Sequence, residues 1–347
     1  FLDYEKYDRM GFNSGNSRNG SYTRTLHTEF GDLQLAIPRD RNGEFKQQTV
    51  APYRRSNDTL EAFVIHMFQK GVTTAEIADL IERMFGHHYT SQTISNITKV
   101  MSEQVEAFQV RTLSARYACV YLDATFIALK RETVAKEAVY IAVAIREDGT
   151  KDVLGYAIAA TESASVWKEL LQDIQERGAE EILLFVSDAI VSIYPDAKYQ
   201  TCCVHLQRNI SHKVRISDRQ EICDDFKTVY RADNLENAQK ALQDFVKKWK
   251  AVYPKVTKPL AVNPYILTFY SFPKSIWRSI YSTNLIESFN KQIKKYSKRK
   301  EQFPNEESLE RFLVSQFEEY NQRFATRCHI GFDKARAELE NMFKTKE

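Results

Sequence analysis

The run Val120-Tyr121-Leu122-Asp123-Ala124-Thr125-Phe126 decides the fold of the larger part of this chain. It lies inside residues 119–129, a stretch rich in β-branched and aromatic residues that predicts a strand. Period two along a strand places Asp123 on the face of Tyr121 and Thr125. A carboxylate inside an apolar strand needs a partner or a metal ion, because burying an unpaired charge is costly. We therefore interpret Asp123 as a functional residue.

Five further elements follow this strand and complete an α/β pattern. Strand candidates cover residues 138–146, 153–160, 182–186 and 198–203, and an amphipathic helix covers residues 166–177. Short connections between the first three strands favour an antiparallel meander, whereas a continuous apolar run after a helix is typical of a buried parallel strand. The expected fold class is α/β, in which a meander is joined to crossover strands.

Asp188 follows the apolar run at residues 182–186, at the C-terminal end of a predicted strand. Catalytic residues of α/β sheets gather at such ends, although an aspartate after a strand is more often a cap or turn residue. Residues 189–197 are too few for the helix that usually connects two parallel strands. We therefore expect residues to be missing from this stretch of the sequence.

Glu287 lies in a predicted helix over residues 284–298, which is apolar on one face and basic on the other. At about 100° per residue, the polar stripe holds Asn284, Glu287, Lys291, Lys294, Lys295 and Lys298, and Arg299 and Lys300 continue it. A solvated helix usually mixes its charges to gain i,i+4 pairs. A row of lysines instead indicates a polyanion whose counterions are released on binding. The alternative is a merely basic surface helix.

Three converging carboxylates would suit phosphoryl transfer assisted by two metal ions. Oxygen ligands select Mg²⁺, or Mn²⁺ as a substitute, so Asp123, Asp188 and Glu287 predict two such ions per active site. Cys202-x-x-His205 is the remaining constellation and is half of a zinc site. No second pair with a common spacing accompanies it. We therefore favour a free core cysteine, with His205 near the scissile phosphate.

Residues 1–112 carry the signals of a DNA-binding region. A linker rich in Gly, Asn and Ser precedes a small hairpin, which ends in a turn where Arg39 and Arg41 either contact phosphates or line a solvated loop. Helical periods over residues 59–104 are broken at Gly71 and Gly86, leaving helices near 75–84 and 92–101. Two short helices around a glycine turn are typical of a helix-turn-helix, in which Gln92 would contact DNA. The alternative is any small helical bundle.

Composition limits the classes of protein that this chain can belong to. The formal net charge of +3 is too small to indicate a nucleic-acid partner without a local cluster of charge. The cysteines number five, are scattered and favour a reducing compartment over a disulfide framework. No apolar run is long enough to predict a membrane span. Because the sequence begins at Phe1 without a methionine, we expect further residues before it.

Together these motifs resemble the mutator-type insertion-sequence transposases of the DDE superfamily over nearly the whole chain. The shared motifs are Pro38-Arg39-Asp40-Arg41, Leu122-Asp123-Ala124-Thr125, Val186-Ser187-Asp188, Cys202-x-x-His205 with Arg208-Asn209, and Ser282-Thr283-Asn284-x-Ile286-Glu287-Ser288-x-Asn290. The resemblance implies an RNase H-like core, with a mixed five-stranded sheet and helices, and a helical insertion between the second aspartate and the glutamate. It implies that Asp123, Asp188 and Glu287 bind the metal ions.

The resemblance also implies further roles for individual residues. We expect Cys202, His205 and Asn284 to support the active site. Trp249 lies in the insertion and could stack on a DNA base, although a core aromatic explains it equally well. Residues 218–253 are helical by period, and Pro254 and two later prolines are expected to interrupt the chain after them.

The activity implied is DNA transposition in the bacterial cytoplasm, in association with the nucleoid. Terminal inverted repeats would be bound, and a freed 3′-hydroxyl would attack target DNA. Two element ends need two active sites, so a homodimer on double-stranded DNA is expected, with no membrane partner. The expected divisions are a linker and small β region (1–58), a helix-turn-helix-like region (59–112), the first core part (113–212), the insertion (213–275) and the final core part with C-terminal helices (276–347).

Two other functions remain open at this point. The first is a nuclease of the same fold that cleaves DNA without joining it. The second is a domesticated transposase that is kept as a DNA-binding regulator, although the presence of all three acids argues against this reading.

Overall fold

The structure is a computed structural model that describes residues 15–28, 30–48, 58–188 and 193–344. The chain divides into two compact units, Phe1–Ser102 and Glu103–Glu347. The finer division into five regions stays a prediction. No helix in the described ranges is both long enough and apolar enough to cross a membrane.

The first unit combines a hairpin with short helices. Its elements are β1 (Arg18–Thr28), β2 (Gly31–Asp40), α1 (Asp58–Gln69), α2 (Thr74–Phe85) and α3 (Ser91–Thr98). β1 and β2 pair in antiparallel fashion, which confirms the predicted hairpin. A capping box formed by Thr73 and Glu76 starts α2, and Gly86 ends it in the left-handed conformation at φ 71°. Local sequence therefore determines where α2 begins and ends.

One predicted helix of this region is shorter than expected. Instead of continuing to residue 101, α3 ends at Thr98, and α4 (Met101–Val110) begins a new helix across the boundary of the two units. The Thr98 hydroxyl donates to the carbonyl of Ser95 at 2.9 Å. The Lys99 N–H donates to the carbonyl of Asn96 at 3.2 Å, so the hydrogen-bond ladder tightens and stops.

The second unit is built on a mixed sheet with helices around it. Its strands are β3 (Arg116–Lys130), β4 (Val134–Arg146), β5 (Lys151–Ala159), β6 (Glu181–Ile182), β7 (Leu184–Ser187) and β8 (Lys198–Thr201). Its helices after α4 are α5 (Ala164–Glu176), α6 (Cys203–Lys213), α7 (Arg219–Tyr230), α8 (Leu235–Trp249), α9 (Pro254–Val262), α10 (Trp277–Ile280), α11 (Asn284–Ser297), α12 (Glu306–Phe324) and α13 (Phe332–Lys344).

The strand order β5-β4-β3-β7-β8 confirms the α/β pattern, with the short β6 pairing with β3 as an addition. β3, β4 and β5 form the predicted antiparallel meander. β7 runs parallel to β3, and β8 runs parallel to β7. The expectation of missing residues after Asp188 concerns residues 189–192, which lie outside the described residues.

The two faces of β3 meet different helices. Leu122 belongs to the core cluster that includes Trp167 of α5, whose ring lies edge-on to Tyr140 at 4.8 Å between ring centroids. On the other face, the Tyr121 hydroxyl donates to the carbonyl of Ser279 at 3.0 Å. This alternation, predicted from period two, directs Asp123 away from α5.

Helix α9 corrects the expectation that prolines interrupt the chain after residue 253. Pro254 occupies the first turn of α9, where a backbone N–H would make no hydrogen bond within the helix, so its absence costs nothing. Pro259 lies inside the helix, where it removes a backbone hydrogen bond. Val256 and Leu260 are buried, and this packing holds the helix together across the proline.

We predict that Asp152→Ala lowers the free energy of unfolding by about 3 kcal/mol. Asp152 is 1% exposed and accepts hydrogen bonds from Arg111 at 2.8 Å and Arg146 at 2.7 Å, so its loss leaves two guanidinium groups without their carboxylate. Urea unfolding followed by circular dichroism measures the change. The exposed Glu340, changed to Ala, is the control and is expected to have no measurable effect. Equal stability of the two variants would contradict this account.

Candidate active site

Asp123 lies on β3 and faces α11. Its Oδ2 accepts a hydrogen bond from Nδ2 of Asn290 at 2.9 Å. Burial raises the pKa of the Asp123 carboxyl, the Asn290 hydrogen bond and nearby His205 oppose that rise, and the carboxylates of Glu287 and Asp188 add to it. The three acids predicted from the sequence therefore lie within electrostatic reach of one another.

Asp188 follows β7 directly, at the C-terminal edge of two parallel strands. Its side chain is 52% exposed, and its Oδ2 lies 2.6 Å from Nδ1 of His205. Open α/β sheets bind ligands at this edge, because the loops there leave a crevice. Asp188 is therefore the most accessible of the three acids.

Glu287 lies in the first turn of α11 and is 11% exposed. Its Oε1 lies 3.1 Å from Nε2 of His205 and 3.2 Å from the hydroxyl of Thr283. Its Oε2 accepts a hydrogen bond from Arg208 at 3.0 Å. Two cationic side chains of α6 thus hold this carboxylate in place.

His205 lies between two acids, with Asp188 at one ring nitrogen and Glu287 at the other. The neighbouring Asp188 carboxylate, followed by the sulfur of Cys202, raises the pKa of His205 to about 10. The ring is therefore an imidazolium at neutral pH. Its charge offsets the repulsion between carboxylates that come from two distant parts of the chain.

The site opens into a cavity of about 250 Å³. The lining residues are Leu122, Asp123, Ala124, Glu162, Trp167, Ser187, Asp188, His205 and Thr283. The lining carries three carboxyl groups, of which Glu162 was not singled out by the sequence. A concave, polar pocket at the edge of the sheet suits a polar, charged ligand.

Cys202 is fully buried and caps the N-terminus of α6. Its sulfur accepts from the backbone N–H groups of His205 at 3.4 Å and Thr283 at 3.3 Å, and the Thr283 hydroxyl lies 3.2 Å from it. The sulfur therefore connects the start of α6 to the start of α11. Cys202, His205 and Asp188 could also hold a metal ion, but the ion would have to displace these donors.

Asn290 and Arg208 contact the acids directly, although the sequence argument gave neither a role. Asn290 is 4% exposed, three residues after Glu287 on α11, and Arg208 is three residues after His205 on α6. A polar residue three positions from a candidate site residue on the same helix lies on the same side of that helix. This spacing is the signal that could have identified both.

The DNA contacts expected from the sequence fall into exposed and buried groups. The exposed residues are Arg39, Arg41, Gln92, Lys291, Lys294, Lys295, Lys298 and Arg299. Asn284, which the sequence predicted to support the active site, is also exposed, at the first position of α11. Lys300 is 9% exposed and lies near the ring of Phe303. Trp249 is 6% exposed, and its Nε1 donates to Asp225 at 2.8 Å. The structure thus places Trp249 in the core of the helical segment.

The model of a family described as "Transposase, Mutator family" matches residues 1–326. The chain belongs to this family. The family match confirms the resemblance drawn from the motifs around Asp123, Asp188 and Glu287.

Individual relatives of this Mutator-family chain are also transposases by name. A transposase for insertion sequence element IS905 from Lactococcus lactis is 50% identical over 99% of this chain and 90% of its own length. A transposase for insertion sequence element IS1201 from Lactobacillus helveticus is 47% identical over 92% of this chain and 89% of its own length. A Mos1 transposase in a paired-end complex with the left transposon end is 13% identical, with 87% of this chain and 80% of that chain covered and a TM-score of 0.23.

We predict that Trp249→Ala lowers the free energy of unfolding by about 3 kcal/mol, because it removes a large buried ring. Trp249→Phe keeps most of the packing and loses the hydrogen bond to Asp225, so it should cost about 1 kcal/mol. Urea unfolding measures both, and affinity for single-stranded DNA is measured beside it. A role in base stacking would appear as weakened DNA binding by Trp249→Ala with no loss of stability.

Proposed function

We propose that this chain is the DNA transposase of an insertion sequence, which cleaves DNA at the ends of the element and joins a freed 3′-hydroxyl to target DNA. One observation carries the proposal. Helix α11 carries Glu287, which contacts the same histidine as Asp188, and Asn290, which donates to Asp123. The same helix exposes Lys291, Lys294, Lys295 and Lys298. A phosphodiester held by that row of lysines would lie beside the acids.

The core that we propose is RNase H-like. A three-stranded antiparallel meander is followed by two parallel strands, with Asp123 on the central strand β3 and Asp188 at the end of the adjacent β7. The third acid arrives from α11, after the helical segment that includes α7, α8 and α9. This arrangement lets loops and insertions vary while the acids stay on rigid elements.

Asp123, Asp188 and Glu287 would hold divalent metal ions, and we propose Mg²⁺, with Mn²⁺ as a substitute and two ions per site. The residues fit such ions, because burial and the two neighbouring carboxylates raise the pKa of Asp123 and a cation would stabilise its charged form. Carboxylate oxygens are the ligands that these hard ions prefer. When bound, such ions activate the attacking oxygen and stabilise the leaving oxygen.

The remaining side chains would position the reacting groups. Asn290 holds the Asp123 carboxyl, and Arg208 holds Glu287 from the opposite side. His205 contacts both Asp188 and Glu287, so it orients the two acids and offers positive charge to a scissile phosphate. Cys202 fixes the backbone of His205 and Thr283.

DNA recognition would use both units. In the first unit, α2 and α3 stand on either side of the Gly86 turn, as in a helix-turn-helix, and Gln92 is exposed on α3. Arg39 and Arg41 are exposed near the end of β2 and would contact phosphates. Two ends of an element require two active sites, so we propose a homodimer on double-stranded DNA.

Conservative removal of each acid tests the catalytic proposal. We predict that Asp123→Asn, Asp188→Asn and Glu287→Gln each reduce cleavage and strand transfer by about 10³-fold or more, because each removes a charged ligand from one cooperative site. The measurement uses labelled element ends, pre-cut and uncut, with Mg²⁺.

The control is Glu338→Gln, at an exposed position of α13, which should retain full activity. Binding of element ends should persist in all variants. Strand transfer that survives Asp188→Asn would overturn the catalytic assignment. Cleavage without a joined product from a pre-cut end would favour a nuclease, and DNA binding without either reaction would favour a regulator.

The lysine row makes a separate prediction about salt. Lys291→Gln combined with Lys295→Gln should reduce the slope of log affinity against log salt concentration by about 2, because each phosphate contact contributes about one released counterion. Affinity for duplex DNA is measured between low and moderate salt. Lys344→Gln on α13 is the control, with an unchanged slope. An unchanged slope for the double variant would show that these lysines of α11 do not contact DNA phosphates.

A further inference from the structure

The first unit contains a group of two histidines and one aspartate that the transposase motifs do not include. His27 lies on β1, Asp32 lies on β2, and His87 lies in the segment between α2 and α3. One ligand atom from each lies within 4.8 Å of the other two. We propose that these three residues bind a transition-metal ion of the zinc class.

The ligand atoms converge on one carboxylate oxygen. Nδ1 of His27 lies 2.7 Å from Oδ1 of Asp32, and Nδ1 of His87 lies 2.8 Å from the same oxygen. Zinc binds nitrogen and oxygen ligands at about 2.0–2.2 Å, so tetrahedral ligands lie roughly 3.3 Å apart. The side chain of Asp32 is 48% exposed and can move back by these few tenths of an ångström.

The orientation of His87 is the strongest observation. Its side chain is 1% exposed, and its Nε2 lies 2.8 Å from the carbonyl oxygen of Thr28. A carbonyl only accepts, so Nε2 carries the hydrogen, and in the neutral ring Nδ1 presents a lone pair toward Asp32. A histidine that ligates a metal through one nitrogen and donates to a carbonyl through the other has this arrangement.

The donor set selects the kind of ion. Two imidazole nitrogens and one carboxylate suit zinc and its neighbours in the first transition row, whereas Mg²⁺ prefers oxygen ligands alone. Three protein ligands leave a fourth position for water. The ring of Tyr89 is 8% exposed and packs beside His27 and His87, with ring centroids 5.8 and 6.3 Å away, which shields the two imidazoles.

An ion at this position would have a structural effect within the first unit. A two-stranded hairpin is marginally stable by itself. The ion would join β1 and β2 to the segment that follows α2, on the side where α3 begins. Metal binding of this kind contributes directly to folding, because the ligands are brought together only in the folded state.

The test is a titration of the full chain with Co²⁺ and Zn²⁺. It is performed in an Asp188→Asn, His205→Ala background and in excess Mg²⁺, so that neither the proposed acid site nor the Asp188, Cys202 and His205 cluster takes up the added ion. We expect about one equivalent of tightly bound ion, with the visible absorption of tetrahedral Co²⁺. His27→Ala and Asp32→Asn should each lower the affinity by about 100-fold, and Zn²⁺ should raise the thermal unfolding midpoint of the parent but not of these two variants.

His88→Ala is the matched control, because His88 is adjacent in sequence but its side chain is 77% exposed and lies near Glu82 instead. It should bind metal as the parent does. His87→Ala would be uninformative, because removing this buried side chain would itself destabilise the first unit. The proposal fails if His27→Ala binds the ion as tightly as His88→Ala, or if the parent binds none. In that second case the cluster consists only of contacts between His27, His87 and Asp32, with no bound ion.

Discussion

The charge balance around His205 is the interaction on which the candidate site depends. Asp123, Asp188 and Glu287 repel one another, and partial burial strengthens that repulsion. His205 contacts two of these acids at opposite ring nitrogens. That positive charge lowers the electrostatic cost of holding Asp188 and Glu287 close together. The three acids also supply the carboxylate oxygens that a divalent cation prefers.

Helix α11 connects this chemistry to the expected substrate. Its apolar side, which includes Ile286, Phe289 and Ile293, is buried, and its lysines are exposed. Because Glu287 lies in the first turn, the acid and the basic surface share one rigid element. A transposase of the Mutator family needs the acid and the DNA-binding surface at a fixed distance from each other, and a single rigid helix fixes that distance.

Local signals predicted most of the elements correctly, and the errors have local causes too. The meander and the caps at Thr73 and Gly86 follow from side-chain alternation and turn chemistry, which act over a few residues. The prediction was wrong at two places: α3 stops at Thr98 instead of residue 101, and a helix runs through Pro259. A hydroxyl hydrogen bond at the first place and burial at the second outweighed the general preference. Asn290 and Arg208 were named in the motifs but given no role, because the acids that they contact are distant in sequence.

The sequence by itself determined the succession of strands along the chain, the polarity of α11 and the identity of the three acids as candidates, since each depends on residue type and short-range period. Only the tertiary structure decided that His205 lies between Asp188 and Glu287 and that Trp249 is a core residue. It also decided that His27, Asp32 and His87 meet. The physical reason is that charge pairing and burial depend on which segments become neighbours. Hydrophobic packing of the whole chain, rather than any local pattern, brings them together.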